Sequence, residues 1–290
     1  MPKFNDLDLK NWKEIDLNMD SLWVIPERKK WWKHSNFYHW NFIPQIPEHF
    51  IKRYTKKCWC VFDPFLWSAT TAIETESLGR NIVWVDIQED LIKRANELIW
   101  DSIKKYFLVW DSGDIKTRNI IKWYLETQQV EGFDLAILHP PYADIIKFSG
   151  EKEDLSNCKT IDEFLDWFEK VLKNTYNLLK GWWYCVIVIW DKYQNSEWIP
   201  LGFKCMERWQ KIWFKLKSII VKNMEWNRWK YFKTLFKPIE KEEIEVPKEI
   251  KLLTEKRWEA KENKDFATAD KLRDELLQKW WKVLDKKEGY

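Results

Sequence analysis

Cys60-Val61-Phe62-Asp63-Pro64-Phe65-Leu66-Trp67-Ser68-Ala69-Thr70-Thr71 is the stretch that decides the fold. A short apolar run, Cys60–Phe62, ends in an acidic residue and a proline, and helical spacing follows from residue 70. A buried strand that turns at once into a helix is the opening unit of a parallel sheet, because parallel strands need helical crossovers. The same beat recurs downstream. Apolar runs at Ile82–Val85, Phe107–Val109, Leu135–Leu138 and Tyr184–Ile189 read as buried strands. Helical stretches are predicted near 70–79, 88–105, 116–129 and 161–179. The alternation predicts an α/β, Rossmann-like fold: a mostly parallel sheet with helices on both faces. Before it, Ile46, Phe50, Ile51 and Tyr54 keep helical spacing between Pro44 and Lys57. After it, residues 215–236 hold two β-rich runs separated by EWNRWK, a hairpin turn if glycine stood at Trp226 and Trp229. The composition then changes. KPIEKEEIEVPKEIK is a charged, proline-bounded linker, and residues 249–279 read as two Lys/Glu-rich helices joined near Asn263–Asp265. The predicted organisation is a domain over 1–240, a linker over 241–248 and a small helical hairpin over 249–290.

The chain holds 23 Trp and 7 Gly, whereas an average chain of this length holds about 20 Gly. Trp stands where a fold needs no side chain: Trp67 in the turn just quoted, Trp182 and Trp183 after Gly181, Trp226 and Trp229 in the polar run. Positive φ and close backbone approach are glycine's province. The simplest account is a UGA codon that the cell reads as glycine and that has been rendered as tryptophan. A genuinely Trp-rich protein would not explain the loss of glycine. Trp23, in SLWVIPER, reads as an ordinary core aromatic. On this reading an indole at 67 fills a ligand pocket, and indoles at 84 and 190 overpack strands.

A net charge of +3 argues for no partner by itself, but its distribution does. Residues 201–240 carry ten Lys/Arg against three Glu, an excess suited to a polyanion. Lys215, Lys217, Lys222, Arg228 and Lys230 are the candidate nucleic-acid contacts; the plainer alternative is a solvated basic face. Five cysteines, odd in number and scattered, read as reduced core residues of a cytoplasmic protein, and no second pair stands at zinc-ligand spacing. The N-terminus is too charged for a signal peptide, and no apolar run is long enough to span a membrane. Neither a metal nor a membrane is expected.

Open parallel sheets bind ligands beyond the carboxyl ends of their strands, at the point where strand order reverses. The unusual residues of this sequence fall there. Asp63 opens the turn after the first strand, Asp86 closes the second, Asp111 follows the third, and His139-Pro140-Pro141-Tyr142 follows the fourth. A Pro-Pro pair fixes two φ angles and so aims the Pro140 carbonyl.

With glycine at 67 the turn reads DPFLGSATT, which resembles the DPFxGSGTT motif of S-adenosylmethionine-dependent amino-methyltransferases that act on DNA. His139–Tyr142 resembles that family's (Asp/Asn/Ser)-Pro-Pro-Tyr motif. The upstream stretch HSNFYHWNFIPQIPEHFIKRY resembles the segment that precedes the turn in the family and folds over the cofactor; alternatively, Asn41 and Pro44 merely start a helix. The resemblance spans roughly residues 20–240. It implies S-adenosyl-L-methionine as cofactor, held by His39, Asn41, Asp63, Phe65, position 67, Ser68, Thr70, Asp86 and Asp111, with Gln45 a further candidate. It implies His139, Pro140, Pro141 and Tyr142 as the catalytic set, DNA as partner, and methylation of cytosine N4 or adenine N6 on a base swung out of the duplex. Three departures stand out: Trp67 for the first Gly, Ala69 for the second, read as conservative, and His139 for Asp, Asn or Ser. A neutral imidazole can still accept one hydrogen bond. Only about 25 residues separate Asp111 from His139, so base readout falls to 143–160 or 201–240.

The tail, EKRWEAKENKDFATADKLRDELLQKWWKVLD, resembles the C-terminal helical hairpin of cysteinyl-tRNA synthetases over residues 255–286. That keeps RNA open as a partner, and an RNA base methyltransferase or a non-catalytic nucleic-acid-binding module open as alternatives.

Overall fold

The computed structural model describes residues 5–8, 10–11, 15, 17–34, 41–142, 149–150, 154–194, 196–212, 214–223 and 248–278. Its described elements, in chain order, begin with β1 (Leu22–Val24), α1 (Gln45–Tyr54), β2 (Cys60–Asp63), α2 (Thr70–Ser77) and β3 (Asn81–Asp86). Then come α3 (Glu89–Leu98), β4 (Lys105–Val109), α4 (Ile115–Thr127), β5 (Phe133–Leu138), α5 (Ile161–Leu178) and β6 (Leu179–Ile187). A short pair β7 (Lys192–Gln194) and β8 (Glu197–Ile199), α6 (Leu201–Lys211) and β9 (Val221–Asn223) follow, before two helices nearer the C-terminus.

β2 and β5 are buried at every position, the burial expected of central strands covered on both faces. The sheet runs β4-β3-β2-β5-β6, every neighbouring pair parallel. Side chains alternate between its faces. Phe62, Val83, Val85, Ala136 and Leu138 meet Ile121 and Leu125 of α4, Phe164 and Phe168 of α5, and Leu201 of α6. On the other face Val61, Leu135 and Ile137 pack on Ile51 and Tyr54 of α1, while Ile82 and Trp84 pack on Ile73 of α2 and Ile92 of α3. The predicted α/β sheet with helices on both faces is what the chain forms. Phe62 stacks on Phe133 at 4.7 Å across the β2–β5 junction.

Local chemistry sets the helix starts. The Asp114 side chain accepts from Lys116 N–H at the head of α4, and Thr160 accepts from Glu163 N–H at the head of α5. Trp23 is 3% exposed, as expected of a core aromatic.

Several boundaries differ from the sequence reading. The helix expected over 88–105 stops at Leu98, because Ile99 turns extended and the chain must return to start β4 at Lys105. β6 starts at Leu179, straight out of α5, and ends at Ile187. Trp190 therefore lies past the strand, 38% exposed, and does not overpack it. The first β-rich run of 215–236 yields β9, which pairs parallel with β1; the EWNRWK turn and the second run of the expected hairpin lie outside the described residues. Among the cysteines, Cys58 is exposed, not core.

The contacts divide the chain into two units, 1–225 and 226–290. The linker expected at 241–248 lies outside the described residues except for Lys248, which opens a helix. In the second unit the helices Lys248–Glu262 and Phe266–Gln278 are joined by a short turn at 263–265 and pack on each other.

Gly132, entering β5, sits where an added Cβ would lie 2.8 Å from the Leu178 carbonyl oxygen, a backbone atom that cannot swing aside. Gly132→Ala is expected to destabilise the first unit by about 1–3 kcal/mol through overpacking. Urea unfolding checks this, and a midpoint equal to that of the parent would show that the β5–β6 junction yields freely.

Candidate functional site

The chain order β2→β3→β4 runs outward in one direction, then returns to place β5 on the opposite side of β2. The carboxyl ends of β2 and β5 thus flank the reversal point, where such sheets open a crevice. The turn after β2 is tight. Leu66 N–H donates to Val85 O and Ala69 N–H to Leu66 O. Trp67 has φ +51° and Ala69 φ +62°; left-handed backbone costs a residue with a Cβ roughly 1–2 kcal/mol. Ala69 is therefore not the conservative replacement that composition suggests, since the second motif position also has glycine's conformation.

Asp86 ties this turn to the end of β3. Its carboxylate accepts from Trp67 N–H at 3.1 Å and Gln88 N–H at 2.9 Å. Burial nevertheless raises its pKa to about 6, outweighing both amides. Asp63 is 1% exposed and accepts from Phe65 N–H within the turn. Burial, with the Asp86 charge adding, raises its pKa to about 7. After β4, the Asp111 carboxylate accepts from Gly113 N–H at 2.7 Å, and Ser112 Oγ donates to Pro64 O at 2.6 Å, binding the β4 loop to the β2 turn.

These loops frame a cleft of about 430 Å³, counted to its open mouth, lined in part by Phe65, Trp67, Asp86, Asp111, Pro141 and Asp154. The Trp67 indole lies across the reversal point, its Nε1–H donating to His139 O at 2.6 Å. His139 follows β5 and is 3% exposed. Its Nε2 lies 2.6 Å from the Tyr142 hydroxyl, while Nδ1 has no partner among the described residues. Burial lowers its pKa to about 3, so the imidazole is neutral. Phe42 packs on it at 4.7 Å. Pro140 and Pro141 are buried, Tyr142 half-buried against the face that carries α5.

The structure thus brings together Phe65, Trp67, Asp86, Asp111, Pro141 and, through its carbonyl, His139. Ser68 Oγ meets Asn41 Oδ1 and lies 3.3 Å from Thr70 Oγ1, so these three form a polar group behind the turn, outside the cleft lining. Asp63 likewise serves the turn itself. Gln45 is occupied upstream, accepting from Lys29 N–H and donating to Glu27 O. His39, Arg228 and Lys230 lie outside the described residues. Lys215 and Lys217 are exposed; Lys222 is half-buried, its pKa lowered by burial and by Arg28. Sequence reasoning missed Gln88, Ser112 and Asp154. The first two adjoin acidic strand ends and could have been found by extending those motifs. Asp154 carried no motif. It heads a 3-10 turn at Leu155–Asn157 and faces Asp86 closely enough for its charge to be felt there.

Three carboxylates, a Phe ring and a Pro wall line this cleft, a set that suits a nucleoside. The Trp67 indole takes up space in the same lining and bonds the His139 carbonyl, so the residues as written fit an S-adenosylmethionine molecule only in part. Among the described residues no group of three or more His, Cys, Asp or Glu side chains is placed to hold a metal, and no helix is long and apolar enough to cross a membrane.

Comparison with known proteins gives two kinds of likeness. Residues 3–97 match the family described as DNA methylase. The type II methyltransferase M.MjaII of Methanocaldococcus jannaschii is 32% identical over 84 residues, 27% of this chain and 16% of that protein. A cysteine–tRNA ligase of Opitutus terrae is 59% identical over 46 residues, 16% of this chain and 10% of that enzyme. One from Streptococcus agalactiae serotype III is 26% identical over 201 residues, 67% of this chain and 39% of that enzyme. The chain thus spans well under half the length of these curated relatives. A TehB-like SAM-dependent methyltransferase from Corynebacterium glutamicum superimposes with a TM-score of 0.36 at 15% identity, covering 57% of this chain and 71% of that one, too loosely to carry an argument.

The buried acids make stability fall as pH rises. Folded Asp63 and Asp86 keep protons up to about 7 and about 6, while the unfolded chain releases them near 3.9. The unfolded state binds fewer protons in that window, so unfolding becomes easier with increasing pH. Asp63→Asn removes the larger contribution. The loss of stability between about pH 5 and about pH 8 is then expected to be shallower than in the parent. Urea midpoints at the two pH values check it; an unchanged slope would clear Asp63 of the effect.

Proposed function

We propose that the chain is a methyltransferase that takes its methyl group from S-adenosyl-L-methionine and places it on an exocyclic amino nitrogen of a DNA base, cytosine N4 or adenine N6. The observation that carries this reading is the convergence of Phe65 and Trp67 of the 63–71 turn with Asp86, Asp111 and Pro141 on one cleft at the reversal point of a parallel sheet, the His139 carbonyl beside them. The DNA methylase match over residues 3–97 and the likeness to M.MjaII support it. We assign Phe65, Asp86 and Asp111 to the nucleoside part of the cofactor and position 67 to the rest, with Asp63, Ser68, Thr70, Asn41 and His39 supporting the turn around it. The cofactor supplies an electrophilic methyl group. The protein's part is positional: the rigid Pro140 carbonyl and the neutral His139 side chain accept from the target amino group, and the Tyr142 ring stacks on the displaced base. No metal and no membrane enter this scheme, and we place the protein in the cytoplasm. We assign residues 1–240 to the methyltransferase domain, 241–248 to a linker and 249–290 to an appended hairpin.

RNA is the second reading, favoured by the synthetase-like run in the tail and the cysteine–tRNA ligase matches. Protein purified from its source cells, incubated with methyl-labelled cofactor and either genomic DNA or total tRNA, separates the two. Label in DNA is expected. Label only in tRNA would select RNA, and cofactor binding with no transfer to either would select a non-catalytic module. Tyr142→Ala is expected to lower transfer by about a hundredfold or more, as a positioning loss does, while leaving cofactor affinity nearly unchanged; equal losses would make Tyr142 structural. Affinity for DNA should fall about tenfold or more between roughly 50 and 200 mM salt if a basic face neutralises phosphates. Binding indifferent to salt in a filter assay would remove Lys215, Lys217, Lys222, Arg228 and Lys230 from that role.

A further inference from the structure

Position 67 has a backbone suited to glycine and a side chain that obstructs the site. Its φ of +51° belongs to the left-handed region, where a bulky residue is an outlier. Its ring is laid between the carboxyl ends of β2 and β5 and takes the His139 carbonyl oxygen as acceptor. A turn that must admit a ligand's backbone-close end has no room for it.

Position 84 tells the same story from the core. Trp84 lies within β3, wholly buried, and its Nε1–H has no partner among the described residues. Buried indoles normally find one. Trp23 is the internal control: it is equally buried, yet its Nε1–H donates to Asp20 O at 3.0 Å. On the surface, Trp32, Trp100, Trp110 and Trp123 are each exposed by 41% or more, an odd use of so large an apolar side chain. The chain does keep glycine at other constrained points, such as Gly79 at φ +70° and Gly132. Left-handed backbone also occurs at Cys58, Ala69, Gln129, Ser196 and Lys264, but among the described residues Trp67 is the bulkiest side chain to carry it.

We infer that residues 67 and 84 are glycine in the protein the cell makes, encoded by UGA codons read as glycine and rendered here as tryptophan, whereas residue 23 is tryptophan. Removing the indole at 67 frees the His139 carbonyl and opens the crevice between Phe65, Asp86 and Pro141. The residue assignment stands on backbone and packing alone; its consequence for cofactor binding rests on the methyltransferase reading.

The test is peptide sequencing by tandem mass spectrometry on protein purified from source cells. Trypsin releases 14–28, 58–80 and 81–93 as separate peptides. Glycine at 67 and 84 with tryptophan at 23 is the expected result, and tryptophan at 67 or 84 overturns the inference. A second arm titrates S-adenosylmethionine by calorimetry into the recombinant chain as written and into its Trp67→Gly variant. The variant is expected to bind at least about tenfold tighter, and equal measurable affinities would show that the indole does not close the site. If the native peptides carry glycine and the variant still binds no cofactor, the residue assignment stands and the methyltransferase reading falls.

Discussion

The arrangement of the site depends on one buried carboxylate. Asp86, last residue of β3, accepts backbone N–H groups from 67 in the β2 turn and from 88 at the head of α3, and its own carbonyl accepts from Trp110 N–H. Three loops from three successive strands are thereby fixed to one residue. The bonds at 67 and 110 come from backbone, so they persist whatever side chain those positions carry. With a pKa of about 6 the group is ionised at neutral pH although only 8% exposed. Backbone amides at 67, 87 and 88 offset part of the desolvation. In the proposed reading the same carboxylate has capacity left for a ligand's hydroxyls, since each oxygen offers two lone pairs.

A second constraint comes from charges that no motif announces. Glu74 and Glu76, on the buried side of α2, receive His34 at 2.6 Å, Lys29 at 3.5 Å and Lys33. Lys29 also meets Glu48 of α1 at 2.8 Å. Deleting one partner of a buried pair leaves a charge without compensation, which is why such pairs fix geometry even where their net contribution to stability is small. Here they hold residues 29–34 against α1 and α2. The Asn41 side chain meets Ser68 in the turn. Residues 29–34 are thus tied to α1 and α2, and Asn41 to the β2 turn.

The central strands β2, β3 and β5 were legible because each is a short apolar run closed by a charged or turn residue, and burial on both faces leaves no polar alternation to confuse it. Asp86 and His139–Tyr142 were legible for the same reason: polar residues at the end of an apolar run mark a carboxyl edge. Helix ends were less so. Ile99 and Ile103 continue the apolar spacing of α3, yet Ile99 is buried in an extended conformation and Ile103 packs on that core from the loop; periodicity cannot distinguish these cases. The β1–β9 pairing joins residues about two hundred positions apart and has no local signal. Asp154 illustrates the limit for the site. Nothing in EKEDLSN points to a cleft, and only the packing of the 3-10 turn brings it opposite Asp86.

His139 shows why a departure from a motif need not be a loss of function. Asp63, buried at the neighbouring strand end, has its pKa raised to about 7, so a carboxyl group at 139 would meet the same desolvation and could change protonation near neutrality. Burial acts oppositely on imidazole, pushing it down to about 3, and the group stays neutral throughout the range in which a cell works. Its Nε2 is engaged by the Tyr142 hydroxyl, and its Nδ1 has no partner among the described residues. Which nitrogen carries the proton follows from that hydrogen bond: if the hydroxyl donates, Nδ1 bears hydrogen; if it accepts, Nδ1 is a free acceptor. Only the second state offers a ring lone pair to an amino group, and it requires the hydroxyl to turn its own proton elsewhere. The tyrosine that is proposed to stack on the base therefore also sets the tautomer of the residue proposed to receive it.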